Sequence, residues 1–240
     1  MRTLIALAAS AVIVVLATSA CVLNHDHVKG VGEPIKKPLA VEPFHGIEVN
    51  GSMDVEIVTA DVQAVEVEAQ ANIAELLTTV VKNGTWIVST SKSYSTDKPF
   101  TIRIRVPSMD LVHINGSGDV KSTDIFEAAK VDLAISGSGG IQFAVKATSV
   151  RAAIDGSGDI RMTGSCSKLS AAIAGSGDVK ASELVTADLS VDIAGSGDVS
   201  ANASGAVNVA IAGSGDVVLM KKPASIKESI AGSGEVRIAK

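Results

Sequence analysis

The chain has 240 residues, a formal net charge of −5 and only 2% aromatic residues. The modest acidic excess argues against nucleic acid as a partner, and so few rings argue against surfaces that hold sugars or bases by stacking. About 200 residues follow the N-terminal segments, enough for one good-sized domain.

Arg2 precedes an apolar stretch from Leu4 to Ala17, interrupted only by Ser10, and Thr18-Ser19-Ala20 then leads to Cys21. A cation, a short apolar run and a small-residue exit predict a secretory signal peptide over residues 1–20. The run falls short of the roughly 20 apolar residues that span a bilayer. Ser19-Ala20-Cys21 resembles a bacterial lipobox, which makes Cys21 the lipidation site and Val22 an outer-membrane sorting residue. Thr18 stands where lipoboxes carry Leu, and Thr18 with Ala20 also suits signal peptidase I. A soluble periplasmic or secreted protein is therefore the alternative. Lipidation of Cys21 leaves Cys166 alone, so no internal disulfide is expected.

Residues 21–40 read as the lipidated Cys and a flexible tether, because Pro34 and Pro38 interrupt a stretch without apolar periodicity. His25 and His27 flank Asp26, but two histidines in such a tail more often carry no ligand role. Residues 41–110 alternate in places, as in Ile47-Glu48-Val49, Val65-Glu66-Val67-Glu68 and Thr101 to Val106. Longer insertions interrupt the alternation, notably Ser89 to Pro99, so this part reads as irregular β coils or a β cap. Asn83-Gly84-Thr85 matches a glycosylation sequon, yet reads better as a hairpin-type turn.

From residue 111 to 240 the chain is a regular repeat. Asn115-Gly116-Ser117-Gly118-Asp119, Ser136-Gly137-Ser138-Gly139-Gly140 and Asp155-Gly156-Ser157-Gly158-Asp159 begin a series. It continues through Gly175, Gly177 and Asp178, then Gly195, Gly197 and Asp198, then Gly213, Gly215 and Asp216, and ends at Gly232, Gly234 and Glu235. A looser copy is Asn50-Gly51-Ser52-Met53-Asp54. Such short-period self-similarity predicts an all-β solenoid with coils of about 19 residues. The glycines make a shared corner, since positive φ or close backbone approach suits glycine alone. Period-two alternation places Ile114, Ile135, Ile154, Ile173, Ile193, Ile211 and Ile230 in one inward column. Glu228 takes an inward position held by Val191 and Val209 in earlier coils, which predicts a polar last coil.

Phe44-His45-Gly46-Ile47, Asn83-Gly84-Thr85, Pro99-Phe100-Thr101-Ile102 and the Asn115 to Val120 turn with its successors resemble the bacterial head GIN domain family of autotransporter adhesins. The resemblance covers nearly everything after the tether. It implies a right-handed parallel β-helix on an exported, often lipid-anchored protein, and it carries no catalytic residues.

Two features of the repeat suggest chemistry. The acids Asp119, Asp159, Asp178, Asp198, Asp216 and Glu235 form a row one coil apart, and on one reading Asp159, Asp178, Asp198 and Asp216 would supply oxygen ligands to Ca²⁺. The simpler expectation is that each Asp caps its own turn; the nonapeptide spacing of calcium β-rolls is absent and Gly140 breaks the row. The outward residues before the turns include Ala153, Ala172, Ala174, Ala194, Ala210 and Ala212, a flat face suited to packing against a partner or to serving as plain filler. Ser165-Cys166-Ser167-Lys168 fits S-x-x-K without its companion motifs, and Cys166 reads as a packed residue. The sequence thus predicts an envelope lipoprotein with a structural or adhesive, non-enzymatic role and no cofactor. Its expected partners are the membrane through the anchor, an unidentified protein or surface polysaccharide, and a second copy. A polysaccharide-modifying β-helix enzyme and a calcium-binding surface protein are the alternatives.

Overall fold

The computed structural model describes residues 27–239; the expected signal peptide, the expected lipidation site Cys21 and His25 lie outside the described residues. The N-terminal part holds β1 (His27–Lys29), β2 (Pro34–Leu39), β3 (Gly46–Gly51), β4 (Asp54–Thr59), β5 (Ala64–Gln70) and a single helical turn, α1 (Ala71–Ala74). β6 (Val81–Lys82), β7 (Thr85–Val88), β8 (Ser93–Ser95) and β9 (Thr101–Val106) complete it. The repeat forms β10 (Leu111–Gly116), β11 (Asp119–Gly137), β12 (Gly140–Gly156), β13 (Asp159–Gly175) and β14 (Val179–Gly195). It continues as β15 (Val199–Ala203), β16 (Ala206–Gly213), β17 (Val217–Leu219), β18 (Ser225–Gly232) and β19 (Val236–Ile238).

From β10 onward each coil pairs in parallel with the next, giving the expected β-solenoid. The long strands bend where outward residues change face. In β13, Ile160 and Met162, then Cys166, then Leu169, Ala171 and Ile173 point inward and are buried. The isoleucine column pairs as the alternation requires, with Ile114, Ile135, Ile154, Ile173, Ile193 and Ile211 buried and Ile230, in the last described coil, exposed. Phe126 and Phe143 stack inside neighbouring coils, their ring centroids 5.5 Å apart. Glu228 does stand over Val209, and its whole strand, β18, is exposed.

The N-terminal part is more ordered than its sequence suggests. β3 pairs with β10 so that Asn50 and Gly51 meet Asn115 and Gly116; the looser copy of the turn is a full coil of the stack. β7 pairs in parallel with the other edge of β3, and β9 with β4, so residues 85–106 form a further coil beyond residues 46–59. The order of coils in space therefore departs from their order in sequence. Antiparallel β5 then covers β9, and β2 covers β5. Asn83 (φ 51°) and Gly84 (φ 74°) form the expected two-residue turn between antiparallel β6 and β7. Arg103 clamps the cap by reaching Glu56 Oε2 at 3.0 Å, Glu66 at 3.8 Å and Glu68 Oε2. The hydrogen bond from Arg103 holds the Glu68 carboxyl below the usual carboxylate range.

The expectation of a flexible tether through residue 40 needs correction. β1 pairs with β8, and β2 pairs residue for residue with β5 from Pro34↔Gln70 to Leu39↔Val65. Pro34, Lys36, Lys37 and Pro38 lack the look of a strand because they build an edge, where prolines and lysines discourage further pairing.

What spaces the coils is the ridge of turns. The first glycines, Gly116, Gly137, Gly156, Gly175, Gly195, Gly213 and Gly232, all have φ between +132° and +149°. From Gly116 to Gly213 each carbonyl in this column accepts the N–H of the serine one coil later, as in Ser157 N to Gly137 O at 2.9 Å and Ser176 N to Gly156 O at 2.9 Å. That bond draws the next glycine over the same carbonyl, and a Cβ on Gly175 would collide with Gly156 O. The second glycine is confined as well: a Cβ on Gly177 would strike Gly158 O and the Ile154 side chain. Gly175→Ala thus combines a forbidden φ with a backbone clash and should cost about 3 kcal/mol or more. The neighbouring exposed Ser176→Ala should stay within about 0.5 kcal/mol. Urea unfolding of both variants measures the difference.

Candidate functional site

The acid row lies immediately after the ridge, and its hydrogen bonds run between coils. Asp178 Oδ1 accepts the N–H of Asp198 at 3.1 Å, Asp198 Oδ1 that of Asp216 at 2.8 Å, and Asp216 Oδ1 that of Glu235 at 2.9 Å. Asp54, Asp119 and Asp159 do the same for Asp119, Gly140 and Asp178. The expectation that each Asp caps its own turn is therefore corrected: each carboxylate staples the next coil. Stacking brings the N–H of the corresponding residue in the following coil within hydrogen-bond reach of each carboxylate. Gly140 interrupts the row, so the Asp159 N–H turns instead to Gly139 O at 3.2 Å.

Lys180 lies between two acids, 2.7 Å from Asp159 Oδ2 and 3.4 Å from Asp178 Oδ2. The hydrogen bond to Asp159 raises the ammonium pKa above its ordinary value. Around Gly140 the missing side chain leaves a notch of about 340 Å³ lined by Asp119, Lys121, Gln142, Asp159, Arg161 and Lys180. Among the described residues, no group of three or more His, Cys, Asp or Glu side chains is placed to hold a metal ion. His27 instead meets Ser95 Oγ at 2.9 Å.

The other flank of the ridge is the broad face formed by β10, the ends of β11 to β14, β16 and β18. It carries three outward columns. The one nearest the ridge runs Asn115, Ser136, Asp155, Ala174, Ala194, Ala212, Ala231, and the next runs His113, Ala134, Ala153, Ala172, Asp192, Ala210, Ser229. These alanines line a groove of about 600 Å³, so the face expected to be flat is concave. The third column, Leu111, Asp132, Arg151, Ser170, Ser190, Asn208, borders a second groove of about 710 Å³ together with the corner residues Lys130, Ser149, Lys168 and Asp188. The alternating outward positions are visible in the sequence; the depth of the two grooves depends on how neighbouring columns stand, which pattern alone does not give.

The acids of this second groove are engaged. Asp132 Oδ1 binds Arg151 at 2.9 Å, Asp110 Oδ1 meets His45 Nδ1 at 2.8 Å, and Asp188 Oδ1 accepts the Ala206 N–H at 3.1 Å. In the S-x-x-K segment Ser165 and Lys168 are exposed while Cys166 points inward. The Cys166 thiol donates to Thr186 Oγ1 at 3.4 Å, and burial pushes its pKa up. A protonated, enclosed thiol is a poor nucleophile.

Two outcomes follow from these contacts. Asp178→Ala, which strands the Asp198 N–H, should cost about 1–2 kcal/mol in urea unfolding, and Asp178→Asn, which keeps an acceptor, should cost less than half of that. In a Cys21→Ala background, Cys166 should react with iodoacetamide far more slowly in native buffer than in urea; equal rates would mean that the thiol is accessible.

The comparisons with known proteins agree with this architecture. The model of the family described as "Putative auto-transporter adhesin, head GIN domain" matches residues 43–223. Among solved structures, the fold is similar to a putative adhesin from Bacteroides fragilis, with 20% identity, 88% of this chain and 100% of that chain covered, and a TM-score of 0.84. It is also similar to a putative lipid binding protein from Parabacteroides distasonis, with 24% identity, 89% and 100% covered, and a TM-score of 0.76. A putative adhesin from the same species shares 22% identity over 89% and 100% of the two chains, with a TM-score of 0.72. No curated protein matches. With more than half of its length covered by the family model, and with the coil and ridge geometry that the motif demands, the chain belongs to the head GIN domain family.

Proposed function

We propose that this protein is an exported scaffold of the cell envelope, tethered by lipid at Cys21, that binds a partner through the broad face of its regular coils. The observation that carries the reading is the pair of grooves lying side by side on that face and crossing successive coils. Long open grooves fit an extended partner, whereas small substrates sit in enclosed clefts. Family membership and the adhesin-named structures of the same fold support an adhesive role. A non-catalytic role is supported by the commitments of the groove acids: Asp110, Asp132 and Asp188 are each held by a protein donor. A glycan hydrolase needs a carboxylate pair free to work on opposite sides of one bond.

The anchor and the face are tested separately. Metabolic labelling with a fatty acid should mark the wild type and leave Cys21→Ala unmarked; label on neither protein would favour a soluble form. Beads coated with the purified mature protein should adhere to bacterial cells, and Ala172→Lys with Ala210→Lys should abolish most of that adhesion while the thermal melt stays unchanged. Undiminished adhesion by a folded double variant would remove the broad face from the account.

A further inference from the structure

The polar groove has a composition that narrows its partner. It runs beside the broad face from Asp110 to Asn208, across six coils. At about 4.8 Å per coil that is roughly 24 Å of open channel. All of the strands beneath it pair on both sides, so the backbone has nothing left to offer a ligand. Recognition must come from side chains. A peptide that binds by adding a strand needs a free strand edge, which this face lacks.

The lining sorts into three kinds of group. Val131, Val150, Leu169 and Leu189 lie buried beneath it, and half-buried Leu111 and exposed Ala206 give apolar surface near its two ends. Ser149, Ser170, Ser190 and Asn208 supply hydroxyl and amide groups along its length. Lys130 and Lys168 lie in one outward column with Ser149 between them, each exposed and without an ion-pair or hydrogen-bond partner among the described residues. Two coils separate them, about 10 Å. The other cation, Arg151, is already bound to Asp132. One step further along the column Asp188 faces the groove, a negative charge that closes the cationic stretch.

Neutral polar groups for hydroxyls and spaced free cations along a long open channel, with apolar surface only near its ends, match one polymer class. We infer that the groove binds an acidic polysaccharide, with Lys130 and Lys168 taking carboxylates of the chain and Asp188 marking the end of the cationic stretch. This rests on the adhesive reading above and names its partner class. Two unpaired cations on a protein of net charge −5 also make the binding sensitive to salt.

The test uses the purified mature protein with three polymers: polygalacturonate, its fully methyl-esterified neutral form, and polyglutamate. Polygalacturonate should bind measurably, and the other two should bind far more weakly. Lys130→Gln with Lys168→Gln should weaken polygalacturonate binding by roughly tenfold or more. The Arg double substitution should retain it, and Asp188→Asn should strengthen it a few-fold. Equal binding of the neutral ester, equal binding of polyglutamate, or indifference to the Gln pair would each overturn the assignment. Bead adhesion separates this from the broader reading. If wild-type beads adhere to cells, yet polygalacturonate does not compete and the Gln pair adheres equally, the polysaccharide assignment falls and the adhesive role stands. If wild-type beads do not adhere, the adhesive role falls as well.

Discussion

The structure depends on one close approach, repeated at every turn: a glycine α-carbon resting on the carbonyl of the glycine one coil before. The serine N–H that follows each glycine holds the two turns together, as in Ser196 N to Gly175 O at 2.8 Å. At that separation there is no room for a Cβ on the next glycine, and the positive φ would resist one in any case. Fixing the turns in this way fixes the register of everything that follows them. The isoleucine column falls into line because Ile173 lies two residues before Gly175 just as Ile154 lies two before Gly156.

The acids extend the same device. A carboxylate that accepts the next coil's N–H both satisfies a turn donor and ties the ridge along its length, and Lys180 offsets part of the charge that the row accumulates. The conspicuous motif is thereby occupied with structure. On the other flank the Asp132–Arg151 pair is one tie between coils, and the third outward column changes from coil to coil: Asp132, Arg151, Ser170, Ser190 and Asn208 share it. Freedom to vary outside a fixed frame is what a binding surface needs, and the proposed adhesive role therefore assigns recognition to the flank beside the repeat's signature.

Much of the fold could be read from the residues. Period-two alternation and the recurring glycines were sufficient for the solenoid, the inward isoleucines and the kinship of Gly51 with Gly116, and the Asn-Gly pair for the turn at Asn83-Gly84. Other features depend on partners distant in sequence. The bond from Asp178 goes to a donor 20 residues on, while local turn chemistry points to its own turn. β2 has the composition of a linker because an edge strand uses the same residues that linkers do, and only its pairing with β5 distinguishes the two. Placing residues 85–106 outside residues 46–59 requires the chain to pass back over itself, which periodicity cannot record. At the candidate site the alanine columns were legible as positions. The adjoining groove was missed, although Lys130, Ser149 and Lys168 fall at one position of successive repeats and an alignment of the coils would have brought them together.

Native-state hydrogen exchange on the purified protein tests the central claim most directly. Ser157, Ser176, Ser196 and Ser214 have exposed side chains in surface turns, where amides ordinarily exchange quickly. If the glycine ridge ties the coils, their N–H groups, together with those of Asp198 and Asp216, should exchange as slowly as the amides of Ile154, Ile173 and Ile193 in the buried column. Rapid exchange of the ridge amides beside a protected isoleucine column would contradict the account, since the stack would then be held by its core alone.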